Sequence, residues 1–296
     1  MSAPSLIDLK SLTAEALSRI FTLSKNLSLK KASESSGKGR TAGLIFFEPS
    51  TRTRMSFEFA CAREGVAPIT LSGDAGSSLE KGETPEDTVL NIAAMKPDCL
   101  IIRCGDALDL EQIAKNLPMP VLNAGWGKRG HPTQALLDAY AMTERWGSVA
   151  GRKLLIVGDV RHSRVAASHF ELSRILGYEV AIAGPEDFLP KDPAVPVLGS
   201  LEDGLRWADA VMSLRVQTER HQNPSDLASF LKTWGLDHRK LKELKSDGLI
   251  MHPGPVNWGV EMSIDIPNDP RTIILDQVTG GVFVRQALIR WALEGK

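Results

Sequence analysis

No pair of cysteines in this sequence stands at disulfide or zinc spacing. Only three are present, Cys61, Cys99 and Cys104, and the last two flank an apolar, strand-like run. That excludes a disulfide-stapled secreted scaffold and points to buried free thiols in a reducing compartment. An excess of either charge is also missing: 35 Lys and Arg stand against 36 Asp and Glu, a net charge of -1. A general nucleic-acid or membrane surface needs a basic excess, so any basic character here is local. No apolar run approaches bilayer length, and Met1-Ser2-Ala3-Pro4-Ser5 has neither a basic start nor an apolar core. The expected location is the cytoplasm. Internal repeats and low-complexity segments do not stand out.

Several functional motifs are missing as well. Val157-Gly158-Asp159-Val160-Arg161-His162-Ser163 keeps one glycine of a dinucleotide fingerprint. The other two, needed for close pyrophosphate approach, are gone, which disfavours a nicotinamide oxidoreductase. No Gly-rich run ends in Gly-Lys-Ser/Thr, which disfavours a nucleotide phosphotransferase. His162 and His169 have no carboxylate at metal-ligand spacing and read as surface or core histidines. The six tryptophans are scattered and read as packing residues. His238-Arg239-Lys240-Leu241-Lys242-Glu243-Leu244-Lys245 reads as a solvated helix face.

What is present is an ordinary globular composition, 43% hydrophobic and 24% charged over 296 residues, enough for one large domain or two typical ones. Strand and helix patterns alternate throughout. Leu6 to Leu27 reads as an amphipathic helix starting near Leu12-Thr13, and Lys30 to Arg40 as a loop. Strands are expected at Leu44–Phe47, Ile69–Leu71, Asp98–Arg103 and Val121–Ala124. Helices are expected from Thr51 to about Glu64, from Thr84-Pro85-Glu86-Asp87, and from about Pro132 to Arg145. A second series brings strands at Lys153–Asp159, Glu179–Ala183, Ala210–Leu214 and Leu249–Met251. Its helices run from Arg164 to Leu176 and from about Val284 to Leu293. Alternation of this kind implies α/β architecture with parallel sheets covered on both faces. The break near Gly147–Gly151 divides the chain into two such domains, 1–147 and 148–280, with a C-terminal helix over 281–296.

Ligands bind parallel sheets at the carboxyl ends of the strands, and there the polar motifs gather. Ser50-Thr51-Arg52-Thr53-Arg54 follows the first strand and opens a helix. Three hydroxyls and two guanidiniums at a helix N-terminus make a trap for a phosphoryl group. An N-cap alone explains Ser50, but not two arginines placed against the dipole. Arg103 ends the third strand and His131-Pro132-Thr133-Gln134 follows the fourth. In the second series Asp159–Arg164, Arg215-Val216-Gln217 and His252-Pro253-Gly254-Pro255 do the same.

Phe47–Arg54, together with His131-Pro132-Thr133-Gln134 and Leu137-Asp138, resembles the signatures of the aspartate and ornithine carbamoyltransferases over essentially the whole chain. Arg215-Val216-Gln217 with Glu219-Arg220, and His252–Asn257, resemble the aspartate branch; the His-Cys-Leu-Pro motif of the ornithine branch is absent. The resemblance implies two doubly wound domains, the first for carbamoyl phosphate and the second for L-aspartate, with the last helix packing back on the first. It implies carbamoyl transfer in pyrimidine biosynthesis, with no metal or cofactor. Ser50, Thr51, Arg52 and Thr53 would bind phosphate, and Arg103 phosphate and the carbamoyl carbonyl. His131 and Thr53 would donate to that carbonyl, and Gln134, helped by the carbonyl of Pro253 beside Gly254, would hold the carbamoyl nitrogen. Arg164, Arg215 and Gln217 suit the acceptor's carboxylates, whereas ornithine's ammonium would be repelled. Glu48 would pair with Arg164 and Arg220 on closure.

The polar stretch Gly73–Glu83 reads equally as a surface loop. The resemblance makes it a loop lent by a neighbouring subunit of a homotrimer, with Ser78 and Lys81 in the site. Regulatory or dihydroorotase chains bound to the trimer remain open. Some relatives have Arg where Val256 stands and many have His where Cys104 stands, and Trp126–Gly130 is unusually basic. Alternatives are a catalytically silent scaffold on the same fold and a carbamoyltransferase for another amine.

Overall fold

Short apolar runs rich in Leu, Ile and Val become the strands of two all-parallel sheets. A computed structural model describes residues 4–10, 12–31, 37–73, 82–216 and 230–294. The first sheet contains β1 (Thr41–Phe46), β2 (Ala67–Ser72), β3 (Cys99–Cys104) and β4 (Val121–Trp126), in the order β2-β1-β3-β4. The second contains β5 (Lys153–Val157), β6 (Glu179–Ala183), β7 (Ala210–Ser213) and β8 (Leu249–Met251), in the order β6-β5-β7-β8. Every neighbouring pair is parallel. Parallel neighbours need crossovers. The helices include α1 (Ala14–Ser28), α2 (Thr51–Arg63), α3 (Pro85–Ala94), α4 (Leu110–Asn116), α5 (Pro132–Trp146), α6 (Arg164–Leu176), α7 (Leu201–Trp207) and α8 (Ile274–Glu294). None of the described helices is long and apolar enough to cross a membrane.

The chain forms two compact units, residues 1–137 with 279–296, and residues 138–278. The divisions fall inside α5 and α8. The first core packs Ile45, Leu100, Ile102 and Val121 of the sheet against Val89, Leu110 and Ile113 of α3 and α4. The second packs Leu155, Val157, Val211 and Ile250 against Leu201 and Leu205 of α7. Each such side chain contributes roughly 1.5–3 kcal/mol when fully buried. Cys61, Cys99 and Cys104 are buried free thiols. Burial, ahead of the neighbouring Cys99, pushes the Cys61 thiol far up, so it is an inert packing group.

Local signals hold where they are strongest. Thr84 caps α3, accepting from Asp87 N at 3.1 Å, with Pro85 at the first helical position. The bounds of α6, β6 and β8 match the sequence expectation. Four readings need correction. The helix starts where Leu12-Thr13 is expected to open it, at Ala14 with Thr13 as N-cap, but the stretch from Leu6 does not belong to it, because Leu6 is taken by the edge of the sheet: its N donates to Val121 O and its O accepts from Asn123 N, both at 2.9 Å. The run His238–Lys245 is not a solvated helix face. Only Lys240–Lys242 is helical, as one 3-10 turn, and Lys240 is buried with Nζ donating to Gly235 O at 2.8 Å and Leu231 O at 3.0 Å. Burial lowers the Lys240 pKa. The last helix starts ten residues before the expected Val284, at Ile274. Gly280-Gly281 hid its first turns, since glycine weakens a helix; a Cβ at Gly281 would sit 3.0 Å from Leu137 Cδ2, so the backbone packs closely on that side chain. Finally, α4 and α7 were not anticipated.

The C-terminal part of α8 packs on α2 of the first unit through buried polar groups. Arg290 Nε donates to Glu64 Oε1 at 2.6 Å and its Nη2 to Oε2 at 3.1 Å, while Gln286 Nε2 reaches Oε2 at 2.9 Å. Arg285 Nη1 donates to Ser56 Oγ at 2.7 Å. Glu64 has no exposed surface, so its loss strands a buried guanidinium. Glu64→Ala should therefore cost about 3–5 kcal/mol. Urea unfolding checks this, and a loss below about 1 kcal/mol, a surface-pair value, would show that the pair does not anchor the helix.

Candidate active site

Both sheets change winding direction at one place. In the first the reversal lies between β1 and β3, in the second between β5 and β7. Such a switch point opens a crevice at the strands' carboxyl ends. Phe46 stands in register with Arg103, and Phe47 N donates to Arg103 O at 2.9 Å. The register thus carries Arg103 to the start of the Glu48–Arg54 turn, where its Nε lies 3.5 Å from Glu48 Oε2. Its Nη1 lies 3.5 Å from Ala124 O of β4. A cavity of about 180 Å³ opens here, lined by Phe46, Phe47, Glu48, Pro49, Ser50, Thr51, Arg54, Ser72 and Gly73.

Ser50 occupies the N-cap of α2 with extended backbone (φ -161°, ψ 97°), yet its hydroxyl makes no capping bond. Thr51 and Arg52 are exposed and Thr53 is buried. The N–H groups that open this helix are therefore grouped with hydroxyls and guanidiniums, and its first turn carries no carboxylate. Arg54, the second guanidinium of the expected anion trap, lines the cavity, and its Nη1 donates to Ser72 Oγ. His131 and Gln134 are buried where β4 hands over to α5; Gln134 N donates to His131 O at 3.0 Å. Thr133 Oγ1 lies 3.5 Å from His131 Nδ1. Of the expected site residues Ser50 and Thr51 line the cavity, and Arg52, Thr53, Arg103, His131 and Gln134 follow the ends of the adjacent strands β1, β3 and β4 without lining it.

In the second unit Asp159 follows β5 and receives His162 Nδ1 at 2.8 Å. Arg164 is the first residue of α6, capped by Ser163, whose Oγ accepts from Ala166 N at 3.2 Å. Gly158 makes this turn at φ +114°, where an added Cβ would sit 3.2 Å from Leu214 O. Arg215 lies just beyond β7, and the neighbouring Val216 O accepts from Asn257 Nδ2 at 3.0 Å. Pro253 and Gly254 follow β8, with Gly254 at φ +71°. Arg164, Arg215, Pro253 and Gly254 thus come from the ends of β5, β7 and β8. Ser78, Lys81 and Gln217, with Glu219 and Arg220, lie outside the described residues.

One signal in the sequence would have marked these places independently of any motif. Acidic residues stabilise helix N-termini, and α1, α3, α4, α7 and α8 each carry one or more in the first turn: Glu15, Glu86 and Asp87, Glu111, Glu202 and Asp203, and Asp276. Helices α2, α5 and α6 carry none, and these are the three that open at the candidate site residues. Their positive ends are left for an external anion.

The cap geometry makes a clean contrast. Ser163→Ala removes a capping bond and should cost about 1 kcal/mol of stability, whereas Ser50→Ala should cost less than about 0.5 kcal/mol while weakening inorganic phosphate binding. Denaturant unfolding with phosphate titration checks both; equal stability losses would return Ser50 to a purely structural role.

Residues 5–144 match the family model described as aspartate/ornithine carbamoyltransferase, carbamoyl-P binding domain. Residues 150–292 match its Asp/Orn binding domain. The aspartate carbamoyltransferase catalytic subunit of Desulfitobacterium hafniense is 45% identical over 264 residues, covering 87% of this chain and 84% of that one. The catalytic subunit of Prosthecochloris aestuarii is 40% identical over 301 residues, 96% of each. Among solved structures, ornithine carbamoyltransferase from Pyrococcus furiosus superposes with a TM-score of 0.87 at 26% identity, covering 100% of this chain and 98% of that one. Aspartate transcarbamoylase from Trypanosoma cruzi, in complex with carbamoyl phosphate and aspartate, gives 0.84 at 25% identity, covering 99% and 96%. With both halves matched and relatives this similar over most of its length, the chain belongs to the aspartate/ornithine carbamoyltransferase family.

Proposed function

We propose that this chain transfers the carbamoyl group of carbamoyl phosphate to the amine of L-aspartate, giving N-carbamoyl-L-aspartate and phosphate. What carries this reading is the charge at the helix starts. Helices α2, α5 and α6 open without an acid at the candidate residues of both units. Carbamoyl phosphate brings one anion and aspartate two, so positive helix ends are needed in both units. Ornithine-type and aspartate-type relatives share this fold, so the acceptor is chosen by side chains. Arg164 and Arg215 suit carboxylates and repel an ammonium.

Ser50, Thr51, Arg52 and Thr53 hold the phosphate with the first N–H groups of α2. Arg103, steadied by Glu48, reaches phosphate and the carbamoyl carbonyl. As the aspartate amine attacks, negative charge grows on the carbonyl oxygen. Thr53, His131 and Arg103 donate to it, each worth roughly 10²–10³ in rate by analogy with oxyanion holes. Gln134 and the Pro253 carbonyl hold the carbamoyl nitrogen. The new C–N bond forms as the C–O bond to phosphate breaks, and a phosphate oxygen takes the amine proton. Arg52 and Arg103 stabilise the departing phosphate, so the cationic field comes from the protein. Ser78 and Lys81 enter from the neighbouring subunit of a homotrimer, and Gln217 joins Arg215 at the acceptor. The compartment is the cytoplasm, in keeping with three buried free thiols.

Carbamoyl phosphate with L-aspartate should give carbamoylated product, and with L-ornithine none. Product from ornithine alone would overturn the assignment of the second unit; product from neither would favour another acceptor, a missing partner chain or the silent scaffold, which a carbamoyl-phosphate binding test separates. Arg52→Ala should lower kcat/KM by at least about 10²-fold. Arg215→Ala should raise the KM for aspartate by about tenfold or more, the loss expected for a hydrogen bond to a charged group. Sedimentation of the active species should give three times the mass of the chain.

A further inference from the structure

Gln277 is almost fully buried, only 2% exposed, in the first turn of α8. A buried amide is costly unless both its ends are bonded. Here both are: Nε2 donates to Asp138 Oδ1 at 2.7 Å, and Oε1 accepts from the backbone N of His252 at 3.1 Å. An ionised carboxylate can only accept, so Asp138 dictates which way the amide points. Asp138 is itself held from behind. Its Oδ2 lies 3.2 Å from His169 Nε2, and His169 Nδ1 lies 2.8 Å from the Tyr178 hydroxyl. Burial, reinforced by the Asp138 charge, pushes the Tyr178 phenol well up, so it stays protonated and can donate. Asp138 and His169 have no exposed surface, and Tyr178 has 5%.

This chain of bonds ends on the backbone of the turn that follows β8. β8 is the outermost strand of its sheet. On its open side Ile250 N donates to Arg271 O and Ile250 O accepts from Ile273 N, both at 2.9 Å. The next donor on that side is His252 N, but the covering segment turns into α8 at Ile274. Gln277 supplies the missing acceptor. Beyond it, His252 Nδ1 accepts from Gly254 N at 2.8 Å, and its Nε2 faces Glu261 Oε1 at 3.4 Å. Glu261 Oε1 also accepts from Asn257 N. The turn at residues 252–257 is thus pinned at its start by Gln277 and at its end by Glu261.

We propose that Gln277, oriented by Asp138, is a positioning residue for the His252-Pro253-Gly254 turn, whose Pro253 carbonyl holds the carbamoyl nitrogen as the acceptor attacks. The inference rests on the function proposed above, which gives that turn substrate contacts and gives Asp138 and Gln277 none. Their effect passes through the backbone of His252. They therefore act on the carbamoyl group during its transfer to the acceptor and leave the phosphate site at Ser50–Arg54 unchanged.

Gln277→Glu keeps the shape and sets a carboxylate against Asp138. Steady-state kinetics should show kcat/KM for aspartate about tenfold lower or more, a loss of at least about one charged hydrogen bond. The inhibition constant of inorganic phosphate should stay within about twofold. The double variant Asp138→Asn with Gln277→Glu moves the carboxylate across the bond and keeps every partner. The amide introduced at position 138 then donates to the carboxylate introduced at position 277. The oxygen of that amide accepts from His169 Nε2, and the new carboxylate accepts from His252 N. The double variant should recover to within about threefold of wild type. Unchanged aspartate kinetics in Gln277→Glu, parallel loss of phosphate affinity, or a double variant that fails to recover would each overturn the proposal. If Gln277→Glu does not fold, recovery by the double variant decides alone. A wild-type chain that forms no N-carbamoyl-L-aspartate overturns the functional reading and this inference with it; an active wild type beside an unaffected Gln277→Glu overturns only the positioning role.

Discussion

Parallel pairing of β1 with β3, and of β5 with β7, is the constraint on which the rest depends. Parallel strands must be joined by crossovers, and crossovers that leave a central strand in opposite directions part at its carboxyl end. Among the described residues the polar motifs then fall on the carboxyl edge of their sheets. The register of Phe46 with Arg103 brings a guanidinium to the mouth of the Ser50–Arg54 turn, where it faces Glu48. The second unit repeats the arrangement with Arg164 after β5 and Arg215 after β7.

Stability is withheld at these points in a consistent way. A carboxylate in a first helical turn is worth about 0.3–1 kcal/mol, and five of the described α-helices have one. The three at the site forgo it. Ser50 goes further, standing at a cap position without capping. Ser163 caps normally, so there it is Arg164 beside it that supplies the positive field. The N–H groups at the start of α2 are what an incoming phosphate would satisfy.

Buried polar groups supply the rigidity that such open ends lack. In the first unit Glu64 gathers Arg290 and Gln286 and fixes the end of α8 on α2. In the second, Asp138 gathers His169 and Gln277 and fixes the turn after β8. Each carboxylate is fully buried and bonded through both oxygens, the condition under which a buried charge specifies geometry instead of destabilising it.

The sequence by itself determined the parts whose energy is local. Period and caps placed α6, β6, β8 and the start of α3, and the density of hydroxyls and arginines at Ser50–Arg54 singled out the candidate anion site. The family was legible for the same reason, because its signatures are contiguous. Tertiary structure decided the rest. Leu6 belongs to a sheet edge because β4 offers it partners more than a hundred residues away. Lys240 is buried because two carbonyls from the preceding segment accept its protons. The first turns of α8 form despite Gly280-Gly281, with Gly281 packed against Leu137 and Gln277 bonded to Asp138 and His252. Gln277 carried no signal at all, since an isolated glutamine in an amphipathic stretch looks solvated until Asp138 and His252 are brought to its two ends. Helical period and capping are read over a few residues; burial and hydrogen-bond partnership across the fold are fixed only when distant segments meet.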